Sequence, residues 1–272
     1  MDIIKRNFFR LLRSGALNEY VTLEPMSLFK WHRLIKMLES QHVLGIAAKG
    51  IRNHQYDEGQ VIPKVIFQEL LTAADANEEA ERKAFHEEST LSNRFLNRRL
   101  HHIRTSERHA IDTSLEALQL LDLIVKNLDC ILNSGISLRG ILEIGSFLRM
   151  KGDKVDFVKL DNWLSDLHIQ RFAQLEGSIL IAVFNFEQDE IPFVQRTEPA
   201  AGKLTLRSLT HTAQDTAEEW HFRQSKTGFV KNNSKAMRRN LRRSMRYVAY
   251  APVETTSNFL RNFARSLSEI EE

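Results

Sequence analysis

Residues 113–132 read TSLEALQLLDLIVKNLDCIL, and this stretch decides the fold class. Leu115, Leu118, Leu121, Val125, Leu128 and Leu132 recur every three or four positions, the spacing of one face of an α-helix. Thr113, with Glu116 three residues on, fits a capping box at its start, and Gly135 ends it. The same spacing continues downstream. Residues 137–150 predict a second helix, with Gly152 as a left-handed stop. Asp156 is placed to cap a third, carrying Phe157, Leu160, Trp163, Leu164 and Leu167. Residues 169–186 are long enough for a buried helix, although Ile179 to Phe186 alone would also suit a strand.

Working outward towards the N-terminus, Phe8, Phe9, Leu11 and Leu12 lie among Lys5, Arg6, Arg10 and Arg13, as expected of a short helix packed on the body. Ser27 can cap a helix carrying Phe29, Trp31, Leu34, Ile35 and Leu38. Pro63 suits the start of another, which the polar stretch 75–88 and then Leu91, Phe95 and Leu96 extend into one long solvated helix. The chain has only 11 Gly and 5 Pro, too few for a sandwich or barrel that needs a turn about every 8–12 positions. The expected architecture is all-α, an irregular bundle of about eight to ten helices with little or no sheet. Its core is built from 113–132, 137–150, 157–167 and 169–186.

Composition bounds the function classes. The only cysteine, Cys130, excludes an internal disulfide framework and a multi-cysteine zinc site, and its apolar surroundings predict an inert buried thiol. No signal peptide and no run of about 18 apolar residues is present, so a soluble cytoplasmic protein is expected. The net charge of +3 is too small to imply nucleic acid. It is unevenly spread, however. From Trp220 to Tyr250 there are nine Lys or Arg and no Asp or Glu. The chain therefore divides into a helical body, 1–222, and a basic helical segment, 223–272, packed on the body or extending from it.

In that segment Lys235, Arg238, Arg239, Arg242, Arg243 and Arg246 recur at helical spacing, a candidate anion-binding row. Met237, Leu241, Met245 and Val248 form an apolar stripe that would face the body. Tyr247 and Tyr250 would be free to stack on bases. A solvated basic helix balancing the acidic stretch 75–88 is the favoured reading, and nucleic-acid binding the sharper alternative. His86, His101, His102 and His109 form the only histidine cluster. His102 and His109 are seven apart, too far to share a metal, and the flanking arginines repel cations, so no metal site is assigned.

Three phrases carry a family resemblance: Phe8-Phe9-Arg10-Leu11-Leu12-Arg13-Ser14-Gly15, then Trp31 to Gly50 with Gln41-His42-Val43-Leu44-Gly45-Ile46, then Gly135-Ile136-Ser137-Leu138-Arg139-Gly140-Ile141-Leu142-Glu143. In this order they resemble the bacterial family of uncharacterised nucleotidyltransferase-like proteins, over most of residues 5–195. Glu143 stands where that family usually has Asp. The family implies a Gly-Ser turn followed by a strand bearing Asp-x-Asp, whose alternate carboxylates grip two divalent metals. Residues 85–112, where that core would lie, are polar and helical. The resemblance thus implies a non-catalytic relative, a binding or regulatory module with an unidentified protein partner and no cofactor. A surviving Mg²⁺-dependent transferase would have to use Glu187 and Asp189, which follow Gly177-Ser178 and have the required spacing. Asp153 and Asp156 after Gly145-Ser146, and Asp57 and Glu58 after Lys49-Gly50, lack it.

Overall fold

The computed structural model describes residues 2–55, 62–83, 90–209, 241–242 and 244–268. The protein is all-α, with about 11–12 helices, somewhat more than the spacing alone suggests. In order these are α1 (Ile3–Leu17), α2 (Leu28–Ser40), α3 (Leu44–Asn53), α4 (Lys64–Lys83), α5 (Arg94–Arg108), α6 (Leu115–Asn133), α7 (Leu138–Lys151), α8 (Phe157–Asp166) and α9 (Gln170–Phe184). They are followed by α10 (201–209), α11 (helical at 241–242 and 244–247) and α12 (Pro252–Ser268). Short 3₁₀ turns cover Gly152–Lys154 and Gln188–Glu190.

Two helix groups share one apolar core. Helices α1 to α4 pack on one another, as do α6 to α9, and α1 joins the groups by touching α7 and α9. Helix α6 is central. Leu120, Leu121, Ile124, Val125, Leu128 and Ile131 are fully buried on one broad face, and Gln119, Asp122, Lys126 and Asp129 occupy the other. Phe8, Leu11 and Leu12 are buried too, and α1 belongs to the body as expected. Residues 169–186 resolve as helix α9, which ends when Asn185 turns left-handed (φ 62°) and donates its N–H to the Leu180 carbonyl.

Several local expectations are corrected. No capping box forms at α6: Ser114 is its N-cap without a side-chain cap bond, and its hydroxyl instead accepts from the Asp156 N–H at 3.3 Å. Asp156 does cap α8, accepting from the Lys159 N–H at 2.9 Å. Gly152 is right-handed (φ −57°), and α7 runs on into a 3₁₀ turn. The long helix anticipated from Pro63 to Leu96 is two helices, because Asn93 starts α5 afresh by accepting from the N–H groups of Phe95 and Leu96. Cys130 is half-buried rather than buried.

The last helix is fastened to the body by polar contacts. Glu254, 2 % exposed, accepts from the backbone N–H groups of Ser92 and, at 3.0 Å, Asn93. Asn258 donates to Asn133 at 3.2 Å. A carboxylate before the first turn of α5 satisfies donors that no intrahelical partner can reach and complements the positive end of the helix. Replacing Glu254 by Ala should therefore lower stability by about 2 kcal/mol, the usual cost of removing charged hydrogen bonds. Gln should restore part of it, and urea unfolding of the three proteins checks this.

A candidate ligand cleft

The geometry of the candidate site starts from two glycines. Helices α1 and α3 cross with Gly15 and Gly50 at the contact. A Cβ built on Gly15 would lie 1.9 Å from the Ile46 carbonyl oxygen, and one on Gly50 would lie 2.2 Å from that of Leu11. Only hydrogen at these positions lets the two backbones meet. Asn53 locks the crossing by donating to the Ser14 carbonyl at 3.0 Å and to its hydroxyl oxygen at 3.1 Å.

Beside this crossing a cleft of about 530 Å³ opens between α1, α3, α4 and α7. Gly15 and Ala16 form one wall, and Ala74 and Asp75 of α4 another. Helix α3 presents Gly45, Lys49 and Arg52, which share one helical face. Helix α7 contributes Arg139, Glu143 and Ser146. Arg139 and Glu143 face each other at 3.4 Å, with 20 % and 32 % of their side chains exposed. Lys126 of α6 lies close behind them. Burial pushes its ammonium below the ordinary lysine range, Glu143 opposes the shift, and the positive charge of Arg139 adds to it. The cleft mixes polar and apolar lining, and more cations than carboxylates line it among the described residues.

A second unusual feature lies deeper, outside the cleft. Glu176 of α9 is fully buried. Neither of its oxygens, nor the Asn127 amide nitrogen, makes a hydrogen bond of normal geometry among the described residues. Burial raises the Glu176 carboxyl well above the ordinary range, against a smaller opposite effect of the neighbouring Asn127 amide. Asn127 is itself wedged against α7, where a Cβ on Gly140 would come within 1.7 Å of its Oδ1.

The residues singled out in the sequence are placed as follows. Glu187 and Asp189 are exposed and lie at a 3₁₀ turn, Gln188–Glu190, rather than on a strand. The alternation that would aim both carboxylates one way does not exist there. The Glu187 side chain caps that turn, the Glu190 carboxylate accepts from the Glu187 N–H at 2.8 Å, and Arg149 holds Glu190 at 3.1 Å. His101, His102 and His109 are exposed on or just after α5. Among the described residues no three His, Cys, Asp or Glu side chains are grouped to hold a metal ion.

Of the basic row, Lys235, Arg238, Arg239 and Arg243 lie outside the described residues, as do Met237 and His86. Arg242 is exposed and Arg246 half-buried. The apolar stripe of this segment points the opposite way from expectation: Leu241, Met245 and Val248 are exposed at 41 %, 70 % and 40 %. Tyr247 and Tyr250 are buried instead, and the Arg171 guanidinium lies 5.2 Å from the Tyr250 ring centre. The two tyrosines therefore form the inward face of this segment, and neither is open for base stacking. No described helix is long and apolar enough to cross a membrane.

Sequence reasoning did not identify Lys49, Arg52, Lys126 or Glu176 as site residues. A signal for three of them was nonetheless present, because Lys49 lies within the second phrase, Arg52 just beyond it, and Glu176 is the one acid in the apolar run 169–186. Comparison with protein-family models, with curated proteins and with solved structures gives no match.

Proposed function

We propose that this chain is a non-catalytic helical binding module that takes a small polar ligand in the cleft between α1, α3, α4 and α7. One observation carries the reading. The three phrases that suggested a family, far apart in the chain, meet at this cleft: Gly15 from the first, Gly45 and Lys49 from the second, Arg139 and Glu143 from the third. The volume lies in the range of about 300–1,000 Å³ typical of small-molecule sites, with a few polar groups converging on an otherwise small-residue surface. The resemblance to nucleotidyltransferase-like proteins supports the same reading, as a relative that keeps the helical scaffold and binds without transferring.

A thermal-shift screen of the full chain tests it, using ATP, CTP, GTP and UTP with and without Mg²⁺ beside a panel of small polar metabolites. A ligand at a hundred times its dissociation constant adds about 2.7 kcal/mol of stability. The expected result is a Mg²⁺-independent rise in melting temperature that Ser146→Trp, which fills the cleft, removes. A Mg²⁺-dependent shift lost in Asp189→Asn would support a transferase instead.

A further inference from the structure

The geometry points to a phosphate-bearing ligand in this cleft, bound between Arg139 of α7 and the Lys49–Arg52 pair of α3, with Glu143 as the resident counter-ion that the phosphate displaces. The inference rests on the cleft being the ligand site, and it adds the chemical class of what binds there.

Positive charge reaches the cleft from two of its helices, α3 and α7. Lys49 and Arg52 are three residues apart on one face of α3. Arg139 lies in the first turn of α7, which carries no acidic residue to offset the positive end of the helix. Lys126 stands behind Arg139, and the two cations are close enough to destabilise one another. Asp75 and Glu143 are the carboxylates lining the cleft among the described residues. Glu143 is not held tightly: it stands 3.4 Å from the Arg139 guanidinium Nε, whereas a strong charge-assisted bond is about 2.7–2.9 Å long. A planar guanidinium binds phosphate through two parallel bonds, and a nearby ammonium adds a point charge. A phosphate group in the cleft would meet Arg139 together with Lys49 and Arg52.

The arrangement has a consequence that a merely structural ion pair would not produce. If Glu143 competes with the ligand, removing its charge tightens binding, while removing that of Arg139 weakens it. The test is a calorimetric titration of the full chain with inorganic pyrophosphate at constant ionic strength, repeated with AMP against adenosine. Arg139→Gln and Glu143→Gln are first checked for unchanged helix content. Loss of a charged hydrogen bond costs about tenfold or more in affinity, so Arg139→Gln should weaken pyrophosphate binding at least tenfold. Glu143→Gln should tighten it several-fold. AMP should bind and adenosine should not. AMP binding should also weaken from pH 7.5 to pH 5, because a phosphate ester loses its second charge near pH 6.

Equal pyrophosphate affinity in the three proteins overturns the inference. So does binding abolished by the double substitution Arg238→Ala, Arg239→Ala, which would place the anion on the basic segment. Absence of any pyrophosphate or AMP binding, while an uncharged ligand still gives a thermal shift that Ser146→Trp removes, overturns the phosphate class and leaves the cleft standing. Absence of both signals overturns the two readings together.

Discussion

Replacing Gly50 by Ala is expected to cost about 3 kcal/mol of stability, on the order of an 8 °C fall in melting temperature. The added methyl would lie 2.2 Å from the Leu11 carbonyl oxygen and 3.1 Å from the Gly15 nitrogen. Both are backbone atoms inside a helix, so no side chain can swing away and the helices must separate. Gly15→Ala should behave alike, its methyl being 1.9 Å from the Ile46 carbonyl oxygen. The double variant should cost less than the sum, because one separation accommodates both methyl groups. Gly152→Ala is the control. Its added Cβ meets nothing within 4 Å and its backbone is right-handed, so alanine there should be neutral or stabilising by about 0.5 kcal/mol. Thermal melts of the four variants decide the matter. If Gly50→Ala melts like Gly152→Ala, the close crossing of α1 and α3 is wrong, and with it the cleft that the crossing shapes.

Glu176→Gln is expected to change how stability depends on pH. In the folded protein burial keeps the carboxyl protonated far above its ordinary range. In the unfolded chain it ionises near the ordinary glutamate value of about 4.5. The unfolded state therefore gains by releasing the proton as pH rises. The stabilising contribution of this group is complete below the unfolded value and is lost progressively up to the raised folded value. The slope is about 1.4 kcal/mol per pH unit over that window. A glutamine of the same shape has no proton to lose. The difference in stability, variant minus natural protein, should thus grow by that slope from about pH 5 upward until the raised folded value is reached. Any pH-independent cost of burying the amide shifts the whole curve without changing its slope. Urea unfolding at pH 4, 5.5, 7 and 8 measures this. Parallel curves would mean that Glu176 is ionised and partnered in the folded protein.

Much of the scaffold was legible because its helices obey simple periodicity. Helices α6 and α7 carry unbroken three-and-four spacing, and α8 has a cap at Asp156 that forms as read. What failed did so where two signals competed. The polar run after Asp75 keeps a helical rhythm as far as Leu96, yet Asn93 restarts the helix because its side chain meets two backbone donors that a continuous helix would not leave free. At 241–250 an aliphatic stripe and two tyrosines compete for the inward face, spacing alone does not rank them, and it is the tyrosines that are buried. The cleft was hidden for a different reason. Periodicity tells which face of a helix is buried but not which helices are neighbours, and Arg52 and Arg139 come together only through the packing of α1 on both α3 and α7. The phrases did mark the region, in part for their glycines: Gly15 and Gly50 allow the crossing, and Gly140 admits Asn127.

The most direct test of the central claim is hydrogen–deuterium exchange of the full chain with and without saturating pyrophosphate, read peptide by peptide. If the cleft is the ligand site, protection should rise in α3 and in the first half of α7, residues 44–53 and 138–146, and stay unchanged in 223–250. Protection confined to the basic segment, with α3 and α7 exchanging as before, would contradict the account.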